Sequence, residues 1–81
     1  MEFFTTLEPW TIVLGTGAII HAWASSYTET DDDYVFGVLV VASNEEQEHL
    51  DVTARSPSDP SRVEIALLRL PVELVASIRS S

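Results

Sequence analysis

The chain contains neither cysteine nor lysine. Without cysteine there is no disulfide framework, no thiolate zinc site and no thiol nucleophile, so a hydrophobic core must hold the fold unaided or share that task with a partner. Without lysine, Arg55, Arg62, Arg69 and Arg79 are the only basic side chains against thirteen acids, and the net charge is -9. The shortage of positive charge is uneven: residues 1–54 hold ten of the acids and no base. Such a chain repels phosphate backbones and anionic bilayers, and four scattered arginines cannot assemble the basic stripe that nucleic-acid recognition requires. Neither direct nucleic-acid binding nor membrane association is expected.

Catalytic signatures are missing as well. There is no Gly-x-Ser-x-Gly elbow, and Gly15-Thr16-Gly17 lacks the third glycine and the following helix of a phosphate-cradling loop. Carboxylate pairs of the glycosidase kind are easily drawn from thirteen acids, but they need a cleft that a chain of 81 residues rarely forms. The expectation is a non-enzyme without a cofactor. Residues 9–28 carry no formal charge, which superficially resembles a membrane span. Gly15, Gly17, Thr11, Thr16 and His21 interrupt it, and both flanks are acidic, against the usual basic flank of a spanning helix. Met1-Glu2-Phe3-Phe4 likewise lacks the basic start of a signal peptide. These features lead to the expectation of a soluble, cytoplasmic protein forming a single domain over residues 1–81.

What is present reads mainly as β-structure. Gly15-Thr16-Gly17 divides an apolar run into residues 10–14 and 18–24, the pattern of an antiparallel hairpin. Ile20, Ala22 and Ala24 fall on one side of its second arm and Ile19, His21 and Trp23 on the other. Both sides are mainly apolar, which predicts an interior strand. After a polar stretch over residues 25–33, residues 34–42 give the strongest strand signal, broken only by Gly37, where a bulge, a tight bend or a close backbone approach fits. Ser43 and Glu46 have capping-box spacing, so either one helical turn or a solvated loop follows.

Residues 50–55 alternate cleanly, Pro57 and Pro60 mark a turn, and Val63, Ile65 and Leu67 alternate again with polar neighbours. Pro71 then suits the first position of a short C-terminal helix whose apolar stripe is Leu74, Val75 and Ile78, with Arg79 in its last turn. The expected class is α+β and mostly β: a five- to six-stranded antiparallel meander or small barrel closed by that helix, with residues 3–7 as an optional extra strand.

Several groups invite a chemical reading. Asp31, Asp32 and Asp33 suggest a hard cation, yet adjacent aspartates point in different directions and lack the alternating spacing of a calcium loop. They read better as a solvated turn that discourages edge pairing. His21 sits among Ile20, Ala22 and Trp23, as a neutral, partly buried ring would, while His49 follows Glu45, Glu46 and Glu48 and reads as exposed. No metal ligand set is expected.

The aromatics Phe3, Phe4, Trp10, Trp23, Tyr27, Tyr34 and Phe36 all lie in the first 36 residues, more than one small core covers. Trp10, Trp23 and Tyr27 are therefore candidate interface residues, with Asp31, Asp32, Asp33, Glu45, Glu46 and Glu48 as candidate acidic contacts. Three functions follow as expectations. The first is a non-enzymatic module that binds a protein partner or associates with itself. The second is an acidic decoy or inhibitor occupying a cationic site on a nucleic-acid-binding protein. The third is a small metal-dependent binder or enzyme built on the aspartates and a histidine.

Overall fold

The valine- and aromatic-rich segment becomes the axis of the structure, a computed structural model that describes residues 1–81. The strands in chain order are β1 (Glu2–Phe3), β2 (Glu8–Leu14), β3 (Ile19–Ala24), β4 (Ser26–Glu29), β5 (Asp33–Val41), β6 (Val52–Arg55), β7 (Arg62–Pro71) and β8 (Val75–Ser80). A short helix α1 (Asn44–Gln47) joins β5 to β6, and a 3-10 turn over Val72–Leu74 joins β7 to β8. The chain is thus mostly β, in two antiparallel sheets. In the five-stranded sheet β5 and β7 are central, β6 flanks β7, and β1 and β4 share the far edge of β5. The three-stranded sheet runs β3-β2-β8. The sheets stay open and do not close into a barrel.

One face of the five-stranded sheet carries most of the core. Along β5, Tyr34, Phe36, Val38 and Val40 share this face, as period-2 alternation demands. Along β7 the apolar residues change parity, from Val63 and Ile65 to Leu68 and Leu70. Strict alternation would send one of these pairs outward. The register shift opposite Phe36 and Gly37 resolves the conflict by inserting one extra residue into β7, so that Leu68 faces Phe36 while Ile65 faces Val38.

Leu67, expected on the apolar side with Val63 and Ile65, is expelled at this bulge and is exposed. Gly37 permits the crossing: a Cβ there would lie 2.8 Å from the Ile65 carbonyl oxygen. The resulting face buries Val38, Val40, Ala42, Val63 and Ile65 beneath Leu7, Leu50 and Val52 at one end. At the other end Phe36 packs with Ile12 and Ala24 of the second sheet.

The expected C-terminal helix is replaced by β8. Pro71 ends β7 with an extended ψ of 134°, one 3-10 turn reverses the chain, and Ile78 comes to rest opposite Ile12 on β2. A helix this short gains little in isolation, whereas β-branched Val75 and Ile78 complete a sheet whose central strand otherwise lacks a partner on one side. Two other expectations change. Part of the polar stretch before β5 forms β4, which pairs from Ser26 opposite Gly37 to Glu29 opposite Tyr34. β3 is an edge strand rather than an interior one, because β8 takes the other side of β2. Ser43 does cap α1, accepting from the Glu46 amide at 3.1 Å while its own amide donates to Glu46 Oε1 at 2.9 Å.

Candidate protein-interaction surface

The three-stranded sheet has two unlike faces. Trp10, Ile12 and Leu14 of β2, Ile20, Ala22 and Ala24 of β3, and Val75 and Ile78 of β8 pack inward with Phe36. Alternation sends Pro9, Thr11, Val13, Ile19, His21, Trp23, Ser77 and Arg79 outward. On this outer face Trp23 is 62% exposed and Ile19 57%, next to half-buried Pro9 and Val13. His21 is exposed between Ile19 and Trp23, not partly buried, because alternation points its side chain away from the core that holds Ile20, Ala22 and Ala24. No acid lies on the face. Arg79 is the one arginine without a hydrogen-bonded or ion-paired side chain; Arg55 is held by Gln47, Arg62 lies 3.4 Å from Asp59, and Arg69 grips Asp51 at 2.8 Å.

The two tryptophans part company. Trp10 turns between the sheets, donating from Nε1 to the Ala24 carbonyl at 3.0 Å and meeting Tyr27 edge-on at 5.2 Å. Tyr27 in turn stacks at a tilt on Phe36, with ring centroids 5.3 Å apart. Trp10 is thereby half-buried in the core wall, Tyr27 covers it from the surface at 38% exposure, and Trp23 is the most exposed of the three at 62%. The sequence signal that separates them is positional: Trp10 shares parity with Ile12 and Leu14, whereas Trp23 shares parity with His21.

The acidic residues do not converge. Thr30 Oγ1 accepts from the amide of Asp33 at 2.9 Å, and the Thr30 amide donates to the Asp33 carbonyl at 2.7 Å, closing a tight turn that carries Asp31, Asp32 and Asp33. Glu45 and Glu46 lie on α1 and Glu48 is its C-cap, beyond the other end of β5. Glu46 is tied down: its Oε2 accepts from the Met1 amino group at 2.8 Å, and this bond together with the Ser43 cap holds its carboxyl down at about 2. Asp51 is likewise lowered by its bond to Arg69, and Asp59 by its bonds to Ser61. No group of three or more His, Asp or Glu side chains reaches metal-binding geometry, and His21 and His49 stand on separate elements.

Sequence reasoning missed a polar network beside the core. Gln47 is buried and donates to the carbonyls of Ala42 at 2.9 Å and Pro60 at 3.0 Å, while its Oε1 accepts two bonds from Arg55. The network pins α1 to the Pro57–Pro60 loop, so it stabilises the fold rather than forming a reactive group. Nearby, Phe4, Leu39, Ala54, Arg62 and Glu64 border an open cleft of about 350 Å³, with Arg62 over the Phe4 ring at 4.6 Å. No helix is long and apolar enough to cross a membrane. Comparisons with known protein families, curated proteins and solved structures find no match to this chain.

Proposed function

We propose that the chain is a small non-enzymatic protein-interaction module that docks a partner on the outer face and free edge of its three-stranded sheet. One observation carries this reading: the exposed ring of Trp23 and the exposed side chain of Ile19 lie on the same face of one uncharged strand, on either side of His21, in a protein whose net charge is -9. A soluble monomer gains nothing from this placement, while covering a tryptophan and an isoleucine in a complex contributes on the order of 3 kcal/mol. Tryptophan is also enriched among residues that dominate interface energetics. The lack of cysteine suits a reducing compartment, and we place the module in the cytoplasm.

The test is affinity capture from native lysate with the wild-type chain and with a Trp23→Ser, Ile19→Ser variant, at low and high salt. A protein retained by the first bait and lost by the second supports the reading. Equal retention by both baits overturns it. The acidic-decoy alternative draws less support, since β5 separates its two acidic loops by about 30 Å and they do not build one continuous field. A complex that dissolves steeply with salt and is indifferent to Trp23 would favour the decoy.

A further inference from the structure

We infer that the partner of β3 is a second copy of this chain, joined edge to edge in an antiparallel pair whose twofold axis passes through His21. This rests on the interaction reading above and names its occupant. β3 pairs with β2 from Ile19 opposite Val13 to Trp23 opposite Pro9, with no shift of register. The Leu14 amide donates to the Ala18 carbonyl at 2.8 Å, which fixes the phase of the hydrogen-bonded pairs along this hairpin. Counting from there, Ile20, Ala22 and Ala24 exchange bonds with β2, and Pro9, which has no amide hydrogen, falls opposite Trp23 in a pair that needs none. The backbone groups of Ile19, His21 and Trp23 therefore point to the free edge.

An antiparallel copy centred on His21 uses all of them. Ile19 of each copy faces Trp23 of the other, His21 faces His21, and every facing pair exchanges both of its backbone bonds. The same register sets the exposed indole of each Trp23 beside the exposed Ile19 of the other chain, an aromatic and β-branched cross-strand pair. The two sheets become one six-stranded sheet with continuous inner and outer faces.

Charge selects this edge for a self-pair. The other edge strands each bring an ionised group: Glu2 on β1, Glu29 on β4, Arg55 on β6 and Arg79 on β8. β3 has none, and it lacks the proline, bulge or inward charge by which edges are usually protected. It is the edge at which two copies of charge -9 meet with no Asp, Glu or Arg on either strand. Within one chain, the groups flanking His21 across the outer face are Thr11 and, beyond it, Arg79, with no carboxylate among them.

Because the chain has no cysteine, single-cysteine variants read the register directly. Sedimentation velocity over a wide concentration range at neutral pH should show a reversible dimer, weakened by roughly a hundredfold in His21→Asp, which sets two carboxylates face to face. Under mild oxidation His21→Cys should link to itself. Ile19→Cys should not, but should link to Trp23→Cys when the two are mixed. Wild-type chain that stays monomeric, or Ile19→Cys that self-links as readily as His21→Cys, overturns the self-pair. A monomer that still captures another protein through Trp23 leaves the interaction reading standing, whereas a monomer that captures nothing removes both.

Discussion

The edges of the five-stranded sheet and the β3 edge of the three-stranded sheet are built in opposite ways. In the five-stranded sheet, β1 is only two residues long, β4 ends in Glu29, and β6 shifts register between Val52 and Ala54 and carries Arg55. Each is a device that keeps a foreign strand from adding on. In the three-stranded sheet, β3 runs six residues in unbroken register without a charge. Burial follows the same division. Of the largest fully buried side chains, Phe36, Val38, Val40 and Val63 belong to the five-stranded sheet and only Ile12 to the other. The first sheet buries most of the core and the second exposes Trp23 and Ile19, so under the proposed function changes in the two should separate stability from association.

The largest expected effect breaks the join between them. Phe36 is fully buried where the sheets meet, so Phe36→Ala should cost about 3–5 kcal/mol in chemical denaturation and loosen both sheets. A loss below about 1 kcal/mol would mean that the sheets do not depend on each other. Next comes Gly37→Ala, which drives a methyl group into the Ile65 carbonyl at the bulge and should cost about 1–3 kcal/mol as a lowered melting temperature. An unchanged melting temperature would show that β7 needs no glycine opposite it.

A third variant probes the N-terminal anchor of the stable sheet through pH. Glu46 has its folded pKa lowered from 4.5 to about 2, so its contribution is complete above pH 4.5 and is lost as pH falls from 4.5 toward 2. Glu46→Gln should therefore be less stable than wild type at neutral pH and converge with it near pH 2, followed as denaturation midpoint against pH. Parallel curves across that window would show that neither the Met1 contact nor the Ser43 cap holds the carboxylate in solution. The smallest effect belongs to the second sheet: Trp23→Ser should change stability by less than about 0.5 kcal/mol under dilute conditions, because the ring has little to lose. A larger loss would place Trp23 in the core and remove the contrast between the sheets.

Much of this was legible in particular residues. The density of Val and Phe from Tyr34 to Val41 marked β5, Gly37 marked a place of close approach, Gly15 to Gly17 marked the β2–β3 hairpin, and Ser43 with Glu46 marked the cap of α1. The errors have a common cause. Pro71 to Arg79 has both a helical stripe and β-branched residues, and local spacing cannot weigh a short helix against an open flank on β2. β3 is apolar on both sides, which fits a buried strand or an edge that will be covered by a partner, and no local signal tells the two apart.

By itself, the sequence determined the alternation along β2, β3, β5 and β6, the turns at residues 15–17 and 57–60, the absence of any thiol or lysine chemistry, and the confinement of acids to residues outside 9–28. Those are properties of neighbours along the chain: side-chain parity, backbone freedom at glycine and proline, and formal charge. The tertiary structure decided which strands meet. It placed β8 beside β2, expelled Leu67 so that both ends of β7 could face one core, turned Trp10 inward and left Trp23 outside. Each of those outcomes depends on pairings between residues far apart in the chain, where burying apolar area and satisfying backbone bonds across two sheets outweigh any local preference.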